Sequence, residues 1–119
     1  KWNGNELFVS LLDEQVPHIY SSVTLYNSTM IQQREHWFKD WLHQYPLPSQ
    51  QQAIHFHSAA GKGNLDYGLQ MKRSNHMQTV SITSVCIDER SAILIHQDLL
   101  QQQQHLQTIL LNSKEVTLC

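Results

Sequence analysis

Eight side chains recurring at steps of three and four residues constrain this chain more than any other feature. Met30, Ile31, Arg34, Trp37, Phe38, Trp41, Leu42 and Tyr45 fall on one stripe of a helix, while Gln32, Gln33, Glu35, Lys39, Asp40 and Gln44 fall on the other side. Asn27 or Ser28 offers the N-cap. Pro46 and Pro48 stop the run, because proline has no N–H to donate and clashes with the preceding turn. An isolated helix of this length is marginal in water, so the aromatic side must be covered by the rest of the chain. Trp37, Phe38, Trp41 and Tyr45 are accordingly read as packing residues, with stacking on a flat ligand as the alternative.

A second, shorter helix follows. Ser49-Gln50-Gln51-Gln52 has the spacing of a capping box, Ala53, Ile54, Phe56 and His57 stand behind it, and Gly61-Lys62-Gly63-Asn64 ends it. The character then changes. Leu65 to Met71 alternates loosely and Thr79 to Ile87 is rich in β-branched residues, so both read as strands. Asp88-Glu89-Arg90-Ser91 breaks the pattern before Ala92 to His96, which predicts a hairpin with a four-residue loop. Near the start, Asn3-Gly4 predicts a turn between Trp2 and a strand over Leu7 to Leu11, and Ser21 to Tyr26 reads as a strand or an extended loop. Asp98 to Leu111 reads as a last helix with Leu99, Leu106, Ile109 and Leu110 on one side, interrupted by the low-complexity run Gln101 to Gln104. The expected fold class is α+β: a mainly antiparallel sheet with one long amphipathic helix and one short helix.

The chain has 119 residues, which argues for a single unit, and 8 basic against 10 acidic side chains leave a net charge of −2. No basic field exists to hold nucleic acid or anionic lipid, so neither is expected as a partner. No apolar run approaches the length of a membrane span and no secretory leader opens the sequence, so no membrane partner is expected. Two cysteines, Cys86 and Cys119, make neither a disulfide framework nor a zinc set, which points to a cytoplasmic protein. Cys86, inside a strand, reads as a small buried residue and Cys119 as an exposed thiol. The opening at Lys1 suggests a piece of something longer.

Eight histidines raise the question of a metal. His55 and His57 diverge by about 200° if the segment is helical, and His36 and His43 share a face but stand roughly 10 Å apart along the axis, so no metal and no cofactor is expected. Full protonation of the histidines near about pH 5.5 would carry the formal charge from −2 to +6, which makes solubility and self-association depend on pH. Gly61-Lys62-Gly63 lacks the spacing of a phosphate loop and follows a helix, so a helix C-terminus is the simpler reading. No Gly-x-Ser-x-Gly elbow is present.

Tyr20-Ser21-Ser22-Val23-Thr24-Leu25-Tyr26, then Arg34, Phe56-His57-x-Ala59, Met71-Lys72-Arg73 and Gln78-Thr79-Val80-Ser81 stand in an order and spacing that resemble the C-terminal half of bacterial proteins of the Asn-Arg-Asp-Glu (NRDE) family, related to transport and Golgi organization protein 2. The similarity runs from about Tyr20 to Leu99. The resemblance implies a fold like that of N-terminal-nucleophile hydrolases, an αββα sandwich, of which residues 1–119 would be the C-terminal portion. It implies a missing N-terminal segment as partner, with self-association when that segment is absent, and a pocket lined or braced by Ser22, Arg34, His57, Arg73, Thr79 and Ser81. The family's Met-Cys start and the Asn-Arg-Asp-Glu segment are not here, and Lys72 and Asn75-His76 replace the expected histidine and acidic residue. Such hydrolases use the free α-amine as base for a nucleophile on residue 1, and Lys1 offers no thiol or hydroxyl, so no catalytic residue is assigned.

Each of these positions also has a plain structural use. Arg34 could snorkel out or pair with a carboxylate, His57 could favour a helix dipole, and Ser22, Thr79 and Ser81 could satisfy backbone groups. Two functions therefore stand open: a pocket-forming half without its own nucleophile, and a stand-alone, non-enzymatic ligand-binding or protein-interaction module.

Overall fold

The computed structural model describes residues 1–22, 24–64, 68–73 and 77–111. Its elements run α1 (Ser28–Gln44), α2 (Gln50–Ala59), β1 (Ser81–Ile87), β2 (Ser91–Asp98) and β3 (Gln103–Leu110), an α+β arrangement with one antiparallel sheet ordered β1-β2-β3. Helix α1 begins where its cap chemistry places it. Asn27 Oδ1 accepts from the Met30 N–H at 3.0 Å, and the Tyr45 N–H donates to the Trp41 carbonyl at 2.8 Å before the prolines end the helix. Helix α2 carries the full capping box: Ser49 Oγ accepts from the Gln52 N–H at 3.2 Å and Gln52 Oε1 accepts from the Ser49 N–H at 2.8 Å.

The two helices meet through aromatic rings. Trp41 stacks on Phe56 with centroids 4.7 Å apart, and Phe38 leans on the same ring at 5.9 Å. Behind Phe56, α2 packs on β1, and the Gln50 side-chain amide donates to the carbonyls of Ser84 and Ile93, tying the start of the helix to two strands. Ile54, Phe56, Leu69, Ile82 and Ile95 are the buried apolar side chains among the described residues. Trp37, Phe38, Trp41 and Tyr45 are half-buried, so the stripe packs on one side and keeps the other toward an open cleft.

Strands β1 and β2 form the expected hairpin. Ile87 pairs with Ala92, and Asp88 Oδ1 accepts from the N–H groups of Arg90 and Ser91 at 2.7 Å, which holds the intervening loop closed and keeps the Asp88 carboxyl below its usual pKa. Register assigns the faces. Ile82, Ser84, Cys86, Ile93, Ile95 and Leu106 share the face that carries buried Ile82 and Ile95, whereas Val85, Ile87, Ala92, Leu94 and Ile109 share the other.

Four expectations are corrected. The segment expected as a final helix is a turn and then β3, because Asp98 Oδ1 accepts from the N–H groups of Leu100 and Gln101 and Gln102 takes a positive φ of 54°, reversing the chain onto the free edge of β2. Eight paired positions then satisfy backbone groups that a separate helix would have left open along β2. Cys86 is exposed rather than buried, since it lies near the hairpin end of its face, away from buried Ile82. Leu7 to Leu11 form no strand beyond a single Trp2–Leu7 bridge, although the turn itself is present, with Gly4 at φ 102° and Asn3 Oδ1 accepting from Asn5 and Glu6. Of the strand expected over Leu65 to Met71, residues 65–67 lie outside the described residues, and 68–71 run as a bend. Cys119 also lies outside them. Of Ser21 to Tyr26, expected as a strand or an extended loop, Val23 lies outside the described residues, and the Ser22 carbonyl accepts from the N–H groups of Leu25 and Tyr26.

Phe56 is buried where α2 meets the α1 rings and Trp41 is only half-buried, so their deletions should differ. Phe56→Ala is expected to cost about 3–5 kcal/mol and Trp41→Ala about half as much, read from urea unfolding midpoints. Equal costs would place Trp41 in the core with Phe56.

Candidate functional site

Tyr26 closes the turn before α1, and two further segments bring three side chains to it. Arg34, two turns into α1, lays its guanidinium over the ring with Cζ 4.2 Å from the centroid. Arg73, from the loop after α2, stands with Cζ at 5.4 Å from the same centroid, and its Nη2 donates to the Leu25 carbonyl at 2.9 Å. Met71 supplies a sulfur that accepts from the Tyr26 hydroxyl at 3.3 Å. A turn, a helix and a loop, distant in sequence, thus share one aromatic platform.

Thr79 holds the Met71 side of this arrangement in place. Its Oγ1 accepts from the Met71 N–H at 3.0 Å and donates to the Leu69 carbonyl at 3.3 Å, while its own N–H donates to the Met71 carbonyl at 2.9 Å. Thr79 therefore acts on the cluster through Met71 rather than by touching Tyr26. On the other side, Gly61 permits close approach: at φ 72° a Cβ would come 2.4 Å from the Trp37 ring and 2.9 Å from Gly68 Cα. The end of α2 can lie against α1 only because this position has no side chain.

His57 sits on the last turn of α2 beside this group. Its pKa is lowered, first by partial burial and then by the positive charge of Arg34. The Arg34 guanidinium is itself the buried charge of the chain at 8% exposure, with Nε and Nη1 closed off from solvent and without a hydrogen-bond partner. Stacking on Tyr26 recovers about 2 kcal/mol in a desolvated setting. Leaving donors of a charged group unmade costs about 1–3 kcal/mol or more for each, so the ring offsets only part of the cost. Arg34 belongs to no ion pair among the described residues; His36 and Asp40 pair on the exposed side of α1 at 3.2 Å.

The six positions singled out from the sequence divide. Arg34 and Arg73 come together around Tyr26 and Thr79 braces them, while His57 feels the charge of Arg34 and rests its ring on Phe56. Ser22 is exposed and bonds Thr24 Oγ1 at 2.8 Å, at the far end of the turn that carries Tyr26. Ser81 begins β1 opposite Asp98 and is not brought to the cluster by any hydrogen bond of its side chain among the described residues. Tyr26 and Met71, the platform and its anchor, are not among these six; the aromatic residue just before the Asn27 cap is the sequence signal that marks Tyr26.

Two cavities flank the cluster. An aromatic cleft of about 320 Å³ between α1 and α2 is lined by Trp37, Trp41, Tyr45 and Phe56 with Asp40 and His55 at polar positions. A second, of about 330 Å³, lies under Ser58, Lys62, Met71, Lys72 and Thr79. Among the described residues no three His, Cys, Asp or Glu side chains gather to hold a metal, and no helix is long and apolar enough to cross a membrane. No family model, curated protein or solved structure matches this chain.

The pH response of His57 follows from the direction of its shift. The unfolded chain takes up the proton near the ordinary value of 6.5, whereas the folded chain resists it to lower pH. The stability this gives is complete above the unfolded value and is lost as pH falls through the folded one. His57→Gln should therefore flatten the fall in urea midpoint between about pH 7.5 and 5, and an unchanged slope would show that His57 is not held neutral.

Proposed function

We propose that this chain is the C-terminal, pocket-forming half of an NRDE-type protein, a layer that supplies binding side chains and no nucleophile. The observation that carries the reading is the bare second face of the sheet. Val85, Ile87 and Ile109 lie there at 54%, 66% and 48% exposure, beside half-buried Ala92 and Leu94. At its hairpin end this face is apolar and uncovered, as a layer of an αββα sandwich would be before its second sheet is added, while Thr83, His96, His105 and Gln107 make the rest of it polar.

The surface area supports the same reading. The chain exposes 9762 Å², against about 6,700 Å² for a complete folded protein of this size. The excess, about 3,000 Å² on this chain alone, includes the almost fully exposed stretch 1–22 as well as the bare part of the sheet. The radius of gyration, 16.5 Å, likewise exceeds the roughly 13.5 Å of a compact domain of this length. The covering layer is proposed to come from an N-terminal segment of the same protein, which would also bring whatever nucleophile the whole protein uses. A cytoplasmic location is the corresponding proposal, supported by two cysteines that make no disulfide framework.

A second reading, a stand-alone ligand-binding module, is favoured by the aromatic cleft beside Trp37 and Trp41. The two readings separate in one experiment. Sedimentation across about 1–100 μM near pH 7.5, with a hydrophobic dye, should show self-association and strong dye binding if the sheet face lacks its layer. A dye-silent monomer over that range would overturn the half-protein reading and leave the module. The same preparation is expected to show no turnover of amide or thioester substrates, and activity that survives in a Cys86→Ala/Cys119→Ala variant would contradict the absence of catalytic machinery.

A further inference from the structure

The cleft between α1 and α2 is one-sided in both shape and charge. The parallel partners of Trp41 are already in place, Phe56 at 4.7 Å and 28° and Phe38 at 6.0 Å and 26°, which leaves no gap for a flat guest between them. Toward the cleft the rings are set at an angle instead. Tyr45 tilts 50° from Trp41 with centroids 6.3 Å apart, and Trp37, one turn earlier on α1, lines the same cavity beside Gly61. Angled rings enclose a rounded group better than a planar one.

The charge is negative. Asp40 lines the cleft and no lysine or arginine does, while α2 ends at Ala59 in its wall, which puts the negative end of that helix's dipole there. One Asp40 oxygen meets His36 Nε2 at 3.2 Å; the other has no partner among the described residues, and the side chain is 64% exposed, so a guest can reach it. Lys62, next to Gly61 in the chain, lines the second cavity instead.

We propose that this cleft is a binding site for a small quaternary ammonium compound, its methylated head set among Trp37, Trp41 and Tyr45 with Asp40 at the rim. It deepens the ligand-binding reading above and rests on the same cleft. Tryptophan offers the most favourable ring face to such a cation. A quaternary head suits the lining better than a primary ammonium, whose three N–H donors an aromatic wall leaves largely unmet. At about 320 Å³ the cavity is at the small end of ligand pockets, which fits a compact guest.

The test uses the isotope-labelled 119-residue chain at about pH 8, where histidine charge does not interfere, and follows the indole N–H resonances of its 3 tryptophans, assigned by Trp2→Phe and Trp37→Leu. Choline and tetramethylammonium are titrated at constant ionic strength against dimethylbutanol, the neutral isostere of choline, with benzyl alcohol as the flat probe and phosphatidylcholine vesicles as the lipid source. Both cations are expected to move Trp37 and Trp41 saturably in the millimolar range, at least about tenfold more tightly than the isostere, and to leave Trp2 unmoved. Asp40→Asn should weaken choline by about fivefold, the effect of one unit charge in water, and leave the isostere unchanged. Trp37→Leu should remove the preference for the cation; where that variant does not fold, the isostere comparison and Asp40→Asn decide. No saturable movement up to about 100 mM choline, equal binding of the isostere, a choline affinity untouched by Asp40→Asn, or binding to the vesicles without binding to free choline overturns the proposal. Benzyl alcohol binding where choline does not loses this inference and keeps the cleft as a ligand site. A dye-positive, self-associating chain that binds choline keeps the inference and loses the stand-alone module.

Discussion

The arrangement around Tyr26 turns on one cost: a guanidinium lies in the middle of an otherwise apolar helix stripe, buried and short of acceptors. Arg34 takes the position that a leucine would occupy in an ordinary amphipathic helix. Placing a charge there forces an aromatic ring into contact with it, and Tyr26 provides that ring by closing the turn ahead of the Asn27 cap. Everything that fixes Tyr26 then matters: the Met71 sulfur on its hydroxyl, Thr79 on Met71, and Arg73 on the Leu25 carbonyl. A leucine at this position would relieve the cost and remove the reason for the cluster.

Local chemistry made most of the helical part legible. The stripe from Met30 to Tyr45 predicted both the length of α1 and which side is turned inward, and Asn27, Ser49 and Gln52 marked the helix starts through contacts between residues three apart. The loop at Asp88 to Ser91 was legible for the same reason, since one carboxylate collects the N–H groups next to it. All of these are determined within a few residues of chain.

The features that escaped depend on partners far away in sequence. Leu99, Leu106, Ile109 and Leu110 fit one side of a helix, and glutamine is a good helix former, so nothing local argues against helix for the tail. What decides is the free edge of β2, whose ladder groups are satisfied when Gln103–Leu110 runs alongside. Likewise, Cys86 has the sequence surroundings of a core strand, and its exposure follows from its place near the hairpin end of β1, away from buried Ile82. For the site, Arg34, His57 and Arg73 were legible as individual positions. Their meeting was not, because it requires the loop after α2 to fold back on the turn before α1.

That return is possible because of two glycines. Gly61 lets the Trp37 ring lie against the end of α2, and at Gly68 a Cβ would stand 2.5 Å from the Asn64 carbonyl oxygen and 2.9 Å from that of Gly61. The chain here is packed backbone to backbone, with Gly68 N–H donating to Asn64 and Leu69 N–H to Ala60. A tight backbone knot directs residues 69–73 toward α1 without needing a large apolar core beneath them. This explains how a chain with five buried apolar side chains among its described residues can still hold two arginines and a tyrosine in register. The geometry around Tyr26 is fixed on the helix side, by hydrogen bonds and close glycine contacts that do not involve the bare face of the sheet.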